Sequence, residues 1–490
     1  MSTDIIAAFA TPVGTSGLQV MRVAGAGSAK LCDHIFNFGP LPELNQKAKV
    51  SKRSVDKLQG YQAAFGYLHE IDNPDAPIDQ CVLTKFRKGK SYTGEEQVEI
   101  SIHGGNALRK QVLNLVLEAG ARLAEPGEFT KWAFLNGKVD LSQAEAVMDL
   151  IEADTSRQHD AAIRHLQGDT AKELSKIKDN IYELLSSIEV DIEYPEYEDF
   201  ALQTEMIDKN LSSAISKLRE IMENNKQGEV LREGLQLVIV GEPNVGKSSL
   251  LNALAGEDRA IVTDIAGTTR DSIDMKISLA GIPVTLYDTA GIRHTDDPIE
   301  LEGVNRAKKL LNNADLLLFV LDLGAKTDED NLEAKAKEAI EEFIDLSAQS
   351  KDFFIVFNKL DLSPDLEKQT KDWQFLKDLA QNNPQYQGNL WISAKEQEGI
   401  KQLQDLIVNY YENLSGSGAT DLIVTSIRQQ NLIKTALKQL EQVYNDKDFL
   451  PTDILASGLR QALEVLGEIT GEDVSENMIN DIFSRFCIGK

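Results

Sequence analysis

The spacing of hydrophobic positions along the chain changes character three times. Through about residue 135, short β-like runs ("LQVMRVAG", "QCVLTKF", "QVEISIHGG") surround a helical stretch, "ALRKQVLNLVLEAG", and predict an α+β module. From Asp140 the period becomes helical. Leu141, Ala144, Val147, Met148 and Ile151 share one face, and Ile177, Ile181, Leu184, Leu185 and Ile188 repeat the spacing. The acidic stretch "EVDIEYPEYEDF" interrupts these helices, which are expected to resume around Met206. From Leu235 strands alternate with helices in the βαβ manner, with "LQLVIV", "PVTLYD", "LLLFVLD", "FFIVFN" and "NLWIS" as strands. After "SGSGAT", a flexible linker by composition, Leu455, Leu459, Ala462, Leu463 and Leu466 form a last helical stripe. The pattern predicts an α/β domain inserted in a helical domain that closes from both sides. The expected limits are 1–137 for the N-terminal α+β domain, 138–232 and 415–490 for the two helical parts, and 233–414 for the insert.

Composition narrows the class. At 490 residues the chain exceeds what one core holds, and about 100–200 residues per domain suits three domains. Apolar runs such as "LLLFVL" fall far short of the roughly 20 residues of a membrane span. The start, "MSTDIIAAFATPVG", lacks the basic and apolar regions of a signal peptide, so a cytoplasmic protein without membrane attachment is expected. Three widely spaced cysteines, Cys32, Cys81 and Cys487, form neither a disulfide framework nor a metal pattern. The net charge of −27 matters more. Phosphate contacts supply most nucleic-acid affinity, so a chain this acidic needs a local basic patch or a partner to grip RNA.

The chemistry is concentrated in the insert. "VIVGEPNVGKSSLLNALAG" carries a phosphate-binding loop, Gly241 to Ser248, between a strand and a helix. Its candidate contacts are Asn244, Val245, Gly246, Lys247, Ser248 and Ser249. Lys247 would reach the β and γ phosphates, and Ser248 would ligate Mg²⁺. "DTAG" (Asp288, Thr289, Ala290, Gly291) ends a strand where a second Mg²⁺ contact belongs. In "NKLD" (Asn358, Lys359, Asp361), the Asp361 carboxylate can accept from guanine N1–H and N2–H₂, a donor pair adenine lacks. "SAK" (Ser393, Ala394, Lys395) can close over the base. Four short strings in this order specify GTP rather than ATP. Between the first two lies "VTDIAGTTRD", with Thr263, Asp264, Ile265, Ala266, Gly267, Thr268 and Thr269; Thr269 is the natural switch residue, closing on Mg²⁺ and the γ-phosphate. A Ras-like GTPase places glutamine after the "DTAG" glycine to orient water. Here that position is Ile292, so water must be held by another group, and Arg270 and Arg293 are the nearby cations.

With "GTTRD", "PGEFTKWAFLNGKVDLSQAEAVMDLI" and the terminal "FCIGK", the chain resembles the MnmE (TrmE) family of tRNA-modification GTPases over essentially its whole length. The resemblance implies a folate-binding-like N-terminal α+β domain and a helical domain interrupted by a Ras-like P-loop G domain. It implies hydrolysis driven by potassium and G-domain dimerisation in place of an arginine finger. The matching K⁺ ligands are Asn244, Thr263, Ile265 and Thr268, and Glu300 matches the water-orienting glutamate. It further implies 5-formyl- or 5,10-methylene-tetrahydrofolate held near Arg22, Glu99, Lys138 and Lys490 in a homodimer. The FAD-binding partner MnmG (GidA) would complete a heterotetramer. The implied reaction is C5 carboxymethylaminomethylation of the wobble uridine of certain tRNAs. One departure from the family is a polar insert, "NQKAKVSKRSVDKLQGYQ".

Cys487 closes the reading. "CIGK" lacks the aliphatic pair and terminus of a prenylation box. The resemblance places the thiol on a mobile tail near folate and uridine, where Lys490 could lower its pKa and make it a catalytic nucleophile; the alternative is that Phe486, Cys487 and Ile488 finish the helical core. A ribosome-assembly GTPase and a GTP-controlled interaction switch with negligible turnover are the competing functional readings.

Overall fold

The computed structural model describes residues 4–43, 46–193, 200–256, 274–288, 310–311, 313–322, 333–334, 336–341, 351–362, 374–414, 424–472 and 474–489. The first elements are β1 (Ile6–Phe9), β2 (Ser16–Ala24), α1 (Ser28–Asp33), β3 (Phe36–Phe38), β4 (Gln62–Glu70), β5 (Asn73–Phe86), β6 (Gln97–Gly104), α2 (Asn106–Glu118), β7 (Arg122–Leu123) and α3 (Glu128–Leu135). Helices follow: α4 (Leu141–Glu152), α5 (Ser156–Leu166), α6 (Asp169–Glu193), α7 (Phe200–Glu223) and α8 (Asn225–Glu233). The α/β region holds β8 (Leu235–Val240), α9 (Lys247–Ala255), β9 (Asp274–Leu279), β10 (Ile282–Asp288), β11 (Leu316–Asp322), β12 (Asp352–Asn358), α10 (Gln374–Asn382), β13 (Tyr386–Trp391) and α11 (Ile400–Asn413). The chain closes with α12 (Ile427–Asp446), α13 (Thr452–Thr470) and α14 (Glu476–Ser484). Two compact units result: Met1–Met148 with Leu166–Ala171 and Glu464–Lys490, and Asp149–His165 with Lys172–Leu463.

In the first unit a sheet of order β3-β4-β5-β6-β2-β1-β7 is antiparallel except for the β1–β7 pair. Alternation sorts its residues. Met21, Val23, Val98, Ile100 and Ile102 join the core with Val112, Leu115 and Val116 of α2, each such burial contributing about 1.5–3 kcal/mol. The other parity faces away, so the β2–β6 register sets Arg22 opposite Glu99. The polar insert is docked at the β3 side of this sheet. Val55 and Leu58 are buried, and Asp33 accepts hydrogen bonds from the Val55 N–H and the Ser54 hydroxyl.

In the second unit the sheet order is β13-β12-β11-β8-β10-β9, parallel except for β9 against β10. Both faces are covered, as parallel sheets require. Leu316, Leu318 and Val320 face one cluster with Leu250 and Leu403; Leu317, Phe319 and Leu321 face another with Ile340 and Phe375. The strand β9 is an element that the hydrophobic pattern did not single out. Its turn, Ala280–Gly281, has positive φ at both residues, the geometry that suits a tight hairpin. Two helical details also differ from expectation. α6 runs into the acidic stretch as far as Glu193, and α7 begins at Phe200 rather than Met206. Ile151 is 45% exposed although Leu141 and Ala144 of its stripe are buried. The stripes at Ile177–Ile188 and Leu455–Leu466 are buried throughout. The "SGSGAT" linker lies outside the described residues.

Candidate functional site

The phosphate loop leaves the end of β8, and α9 begins at Lys247. Gly246 sits at φ 96° in the left-handed region, and a Cβ there would stand 2.3 Å from Asn358 Nδ2. Only glycine lets the loop approach that amide. The Lys247 ammonium is buried within the loop, donating to the Gly241 and Glu242 carbonyls at 2.9 and 2.8 Å. Phosphate oxygens would compete with those carbonyls for the same charge. Asn244 has φ 66°, and its side chain is exposed, as are Ser248 and Ser249 at the first turn of α9. Asp288 ends β10 in register with Ile239 of β8, so its backbone stands beside the root of the loop.

The corner expected to read the base is built from three loops. Asn358 is buried and joins two of them: its Nδ2 donates to the Val245 carbonyl at 2.8 Å, and its Oδ1 accepts from the Ala394 N–H at 3.1 Å. Lys359 adopts φ 69° and donates to the Asn244 carbonyl at 2.7 Å and to Asp322. The buried Ser393 hydroxyl donates to Asp361 Oδ1 at 2.7 Å and aims that carboxylate. Lys395 is exposed; its pKa is raised by a hydrogen bond to Glu396. The structure thus brings the "GK", "NKLD" and "SAK" segments together. Thr263 through Thr269, Thr289, Ala290, Gly291 and Glu300 lie outside the described residues, as do Arg270, Ile292 and Arg293.

A second constellation belongs to the first unit. Arg22 Nε donates to Glu99 Oε1 at 3.0 Å, and Gln97 Nε2 donates to the same oxygen at 3.0 Å. The guanidinium lies 5.3 and 5.4 Å from the ring centres of Tyr92 and Phe129. Stacking and the carboxylate together hold it in one orientation. Tyr92 donates to or accepts from Thr130 at 2.9 Å, and burial raises its pKa. Lys138 is turned toward the Gly89 carbonyl at 2.5 Å rather than toward this pair. Tyr92, Phe129 and Gln97 escaped the sequence reading; "PGEFTK" contains Phe129, but nothing in the string says that its ring underlies Arg22.

The chain end is docked. Phe486 is buried, Ile488 bridges Pro126, and the Gly127 N–H donates to the Cys487 carbonyl at 3.3 Å. Gly489 has φ 97°, and a Cβ there would lie 2.2 Å from the Phe9 carbonyl. Phe9 is the neighbour in β1 of Ala8, which pairs with Arg22. Of "FCI", only Phe486 completes the core; Cys487 and Ile488 are exposed. The Cys487 side chain is therefore not part of that core. Lys490 lies outside the described residues. Cys32 and Cys81 are buried, and desolvation pushes the Cys81 thiol up to about 12.

Among the described residues no cluster of three or more His, Cys, Asp or Glu could hold a metal, and no helix is long and apolar enough to cross a membrane. Comparison with known proteins fits this arrangement. Residues 5–138 match the family "GTP-binding protein TrmE N-terminus", and residues 141–487 match "MnmE helical domain". Proteins named tRNA modification GTPase MnmE align end to end. The one from Carboxydothermus hydrogenoformans is 39% identical over 100% of both chains. That from Acetivibrio thermocellus is 37% identical over 99% of both. That from Bacillus subtilis is 37% identical over 99% of this chain and 100% of its own. With both family segments matched and full-length relatives well above 30% identity, the chain belongs to the MnmE family of tRNA modification GTPases.

Proposed function

We propose that this GTPase uses K⁺ and Mg²⁺ at its nucleotide site and acts in C5 carboxymethylaminomethylation of the tRNA wobble uridine. The observation that carries the GTP half is the corner where Asn358 ties the phosphate loop to the "SAK" segment while Ser393 aims Asp361. The donor set suits Mg²⁺: this ion is held by one or two protein oxygens plus phosphates, and the exposed Ser248 hydroxyl and strand-end Asp288 supply those, with Thr269. Asn244, on its exposed turn, suits a monovalent cation together with Thr263, Ile265 and Thr268. Such a cation supplies the positive charge of an arginine finger, worth about 10³–10⁵ in rate. Glu300 would orient water where Ile292 cannot.

The Arg22–Glu99 pair suits a folate: a fixed guanidinium for carboxylate and a carboxylate for the pterin donor edge, flanked by aromatic rings. Lys138 and Lys490 would add charge at its rim. The bound 5-formyl- or 5,10-methylene-tetrahydrofolate would supply the one-carbon unit, and the exposed Cys487 thiol would take part as a nucleophile. The protein would act as a cytoplasmic homodimer, with the FAD-binding partner MnmG in a heterotetramer. That division of labour suits a charge of −27, since the partner can supply the grip on tRNA.

Hydrolysis assayed with potassium replaced by sodium is expected to fall at least about 10²-fold, toward the rate without a compensating charge. A slow, cation-insensitive rate would instead favour the interaction switch. Nucleoside mass spectrometry of tRNA from cells lacking the protein should show loss of the C5-modified uridine, restored by wild type and not by Cys487→Ser. Unchanged modification in the deletion strain would favour a ribosome-assembly GTPase.

A further inference from the structure

The polar insert carries charge of the opposite sign to the rest of the chain. Residues 46–61 hold Lys47, Lys49, Lys52, Arg53 and Lys57 against a single acid, Asp56, in a protein of net charge −27. The first unit fixes their path. The Ala48 N–H donates to Asp75 Oδ1 at 2.6 Å, beside the β4–β5 turn, and Asn37 of β3 donates to the Lys49 carbonyl and accepts from the Ser51 N–H. The Arg53 guanidinium lies 4.6 Å from the ring centre of Phe38, and Asp33 holds Ser54 and Val55. At the far end of β4, Lys85 donates to the Asp56 carbonyl, and the Tyr61 N–H donates to the Lys85 carbonyl at 2.8 Å. The nine residues of β4 separate those two ends, a span of about 25–30 Å. Val55 and Leu58 are buried, and all five cations are left exposed.

The row of charge continues on the loop after β5. A Cβ at Gly60 would stand 2.7 Å from Arg87 Cγ, and the Tyr61 hydroxyl donates to the Lys90 carbonyl at 2.6 Å. The string "RKGK" (residues 87–90) therefore lies against the end of the insert, and its Arg87, Lys88 and Lys90 are exposed too. Of all these exposed cations only Lys88 forms an ion pair among the described residues, with Glu95 at 2.9 Å. Tyr61 stands among them, 63% exposed and edge-on to Phe86 at 5.7 Å. Its φ of 64° is a left-handed backbone that bulky residues rarely adopt. The same loop leads to the proposed folate site: Lys138 donates to the Gly89 carbonyl, and Phe86 pairs with Gln97, which holds Glu99.

A fixed row of cations attracts a phosphate backbone, whose counterions are released on binding, and an exposed ring offers a base a stacking surface. An acidic protein surface would answer the charge but not the ring, and it would need no path to the Arg22–Glu99 pair. We infer that residues 47–61 and 87–90 form a basic track that takes the sugar-phosphate backbone of the tRNA and leads it toward that pair, with Tyr61 stacking on an unpaired base. The inference rests on the tRNA reading above. It gives an acidic chain a local grip of its own beside that of the partner.

Titration of the full-length protein with purified tRNA at several salt concentrations tests it. Lys49→Gln/Lys52→Gln/Lys57→Gln should raise the Kd at least about tenfold in low salt and reduce the slope of log K against log salt by about 2–3. Lys49→Arg/Lys52→Arg/Lys57→Arg, which keeps the charge, should bind like wild type. Tyr61→Leu should weaken binding about fivefold or more with the slope unchanged. All three variants should keep the wild-type unfolding temperature and GTP hydrolysis, because these side chains lie on the surface and away from the phosphate loop. Equal tRNA binding by wild type and the glutamine variant would overturn the track and leave the tRNA reading intact. Failure of wild type to bind tRNA would also overturn the track, while the uridine analysis of the deletion strain decides the tRNA reading separately. Displacement of bound tRNA by poly-glutamate as readily as by RNA of equal charge would assign the track to an acidic protein surface and overturn the inference.

Discussion

The two sheets assemble functional residues by different routes. In the parallel sheet of the second unit, each segment proposed to contact the nucleotide leaves the end of its own strand: the phosphate loop after β8, Asp288 at the end of β10, "NKLD" at the end of β12 and "SAK" just past β13. Parallel strands all point the same way, so their following loops converge on one edge, and a contiguous string of sequence becomes a contiguous piece of site. In the mainly antiparallel sheet of the first unit, Arg22 and Glu99 are 77 positions apart in sequence and meet through the β2–β6 register. Tyr92 comes from a loop, Phe129 from α3, and the docked chain end from beyond α14. The first arrangement leaves short motifs in the sequence; the second leaves isolated residues.

Replacing a single loop residue should give the largest effect. Asp361→Asn keeps an oxygen to accept the Ser393 hydroxyl, so the corner should stay folded. It sets an amide N–H₂ against the donor edge of guanine, and each lost hydrogen bond to a charged group is worth about 1.5–3 kcal/mol. GTP affinity should fall about 10²-fold or more, and xanthosine triphosphate, which offers a carbonyl at that edge, should bind in its place. Comparable loss for both nucleotides would mean that the loops no longer converge.

A smaller effect is expected in the other sheet. Arg22→Met keeps apolar contact with the Tyr92 and Phe129 rings but leaves Glu99 with only the Gln97 donor among the bonds described above. Tetrahydrofolate affinity, read by fluorescence titration, should drop about tenfold, the equivalent of about 1.4 kcal/mol. The partly exposed ion pair should contribute no more than about 1–2 kcal/mol to stability. GTP hydrolysis by the isolated protein should change less than about twofold; a parallel loss would show that the two sites are energetically coupled.

Thiol labelling gives the finest distinction. At pH 8 one thiol per native chain should react rapidly and be absent from Cys487→Ser, since Cys32 and Cys81 are buried. Burial raises the Cys81 pKa to about 12, so only a trace is thiolate at that pH. All three cysteines should react after unfolding. Protection of Cys487 in the native chain would mean that the tail covers its thiol.

The parallel strands, the buried helical stripes and the nucleotide motifs were legible because each is local: a run of apolar residues, a period, or a string whose residues act within one loop. The short edge strand β9 was less visible. Met275, Ile277 and Leu279 do alternate toward the core, but an edge strand with polar residues between them looks like a loop without its partner. The early return of the helix at Phe200 shows a similar limit. The acidic residues suggested that the helix resumes only around Met206, but solvated carboxylates do not by themselves end a helix.

By itself the sequence determined the class of each region and the identity of the ligand at the phosphate loop, since backbone geometry and hydrogen-bond complementarity act over a few adjacent residues. The tertiary structure decided what depends on distant segments. It set Arg22 between a carboxylate and two rings, docked the polar insert through Asp33, and held Gly489 against Phe9 so that Phe486 enters the core while Cys487 stays in solvent. Register, burial and close backbone approach arise from packing between elements, and no local pattern encodes them.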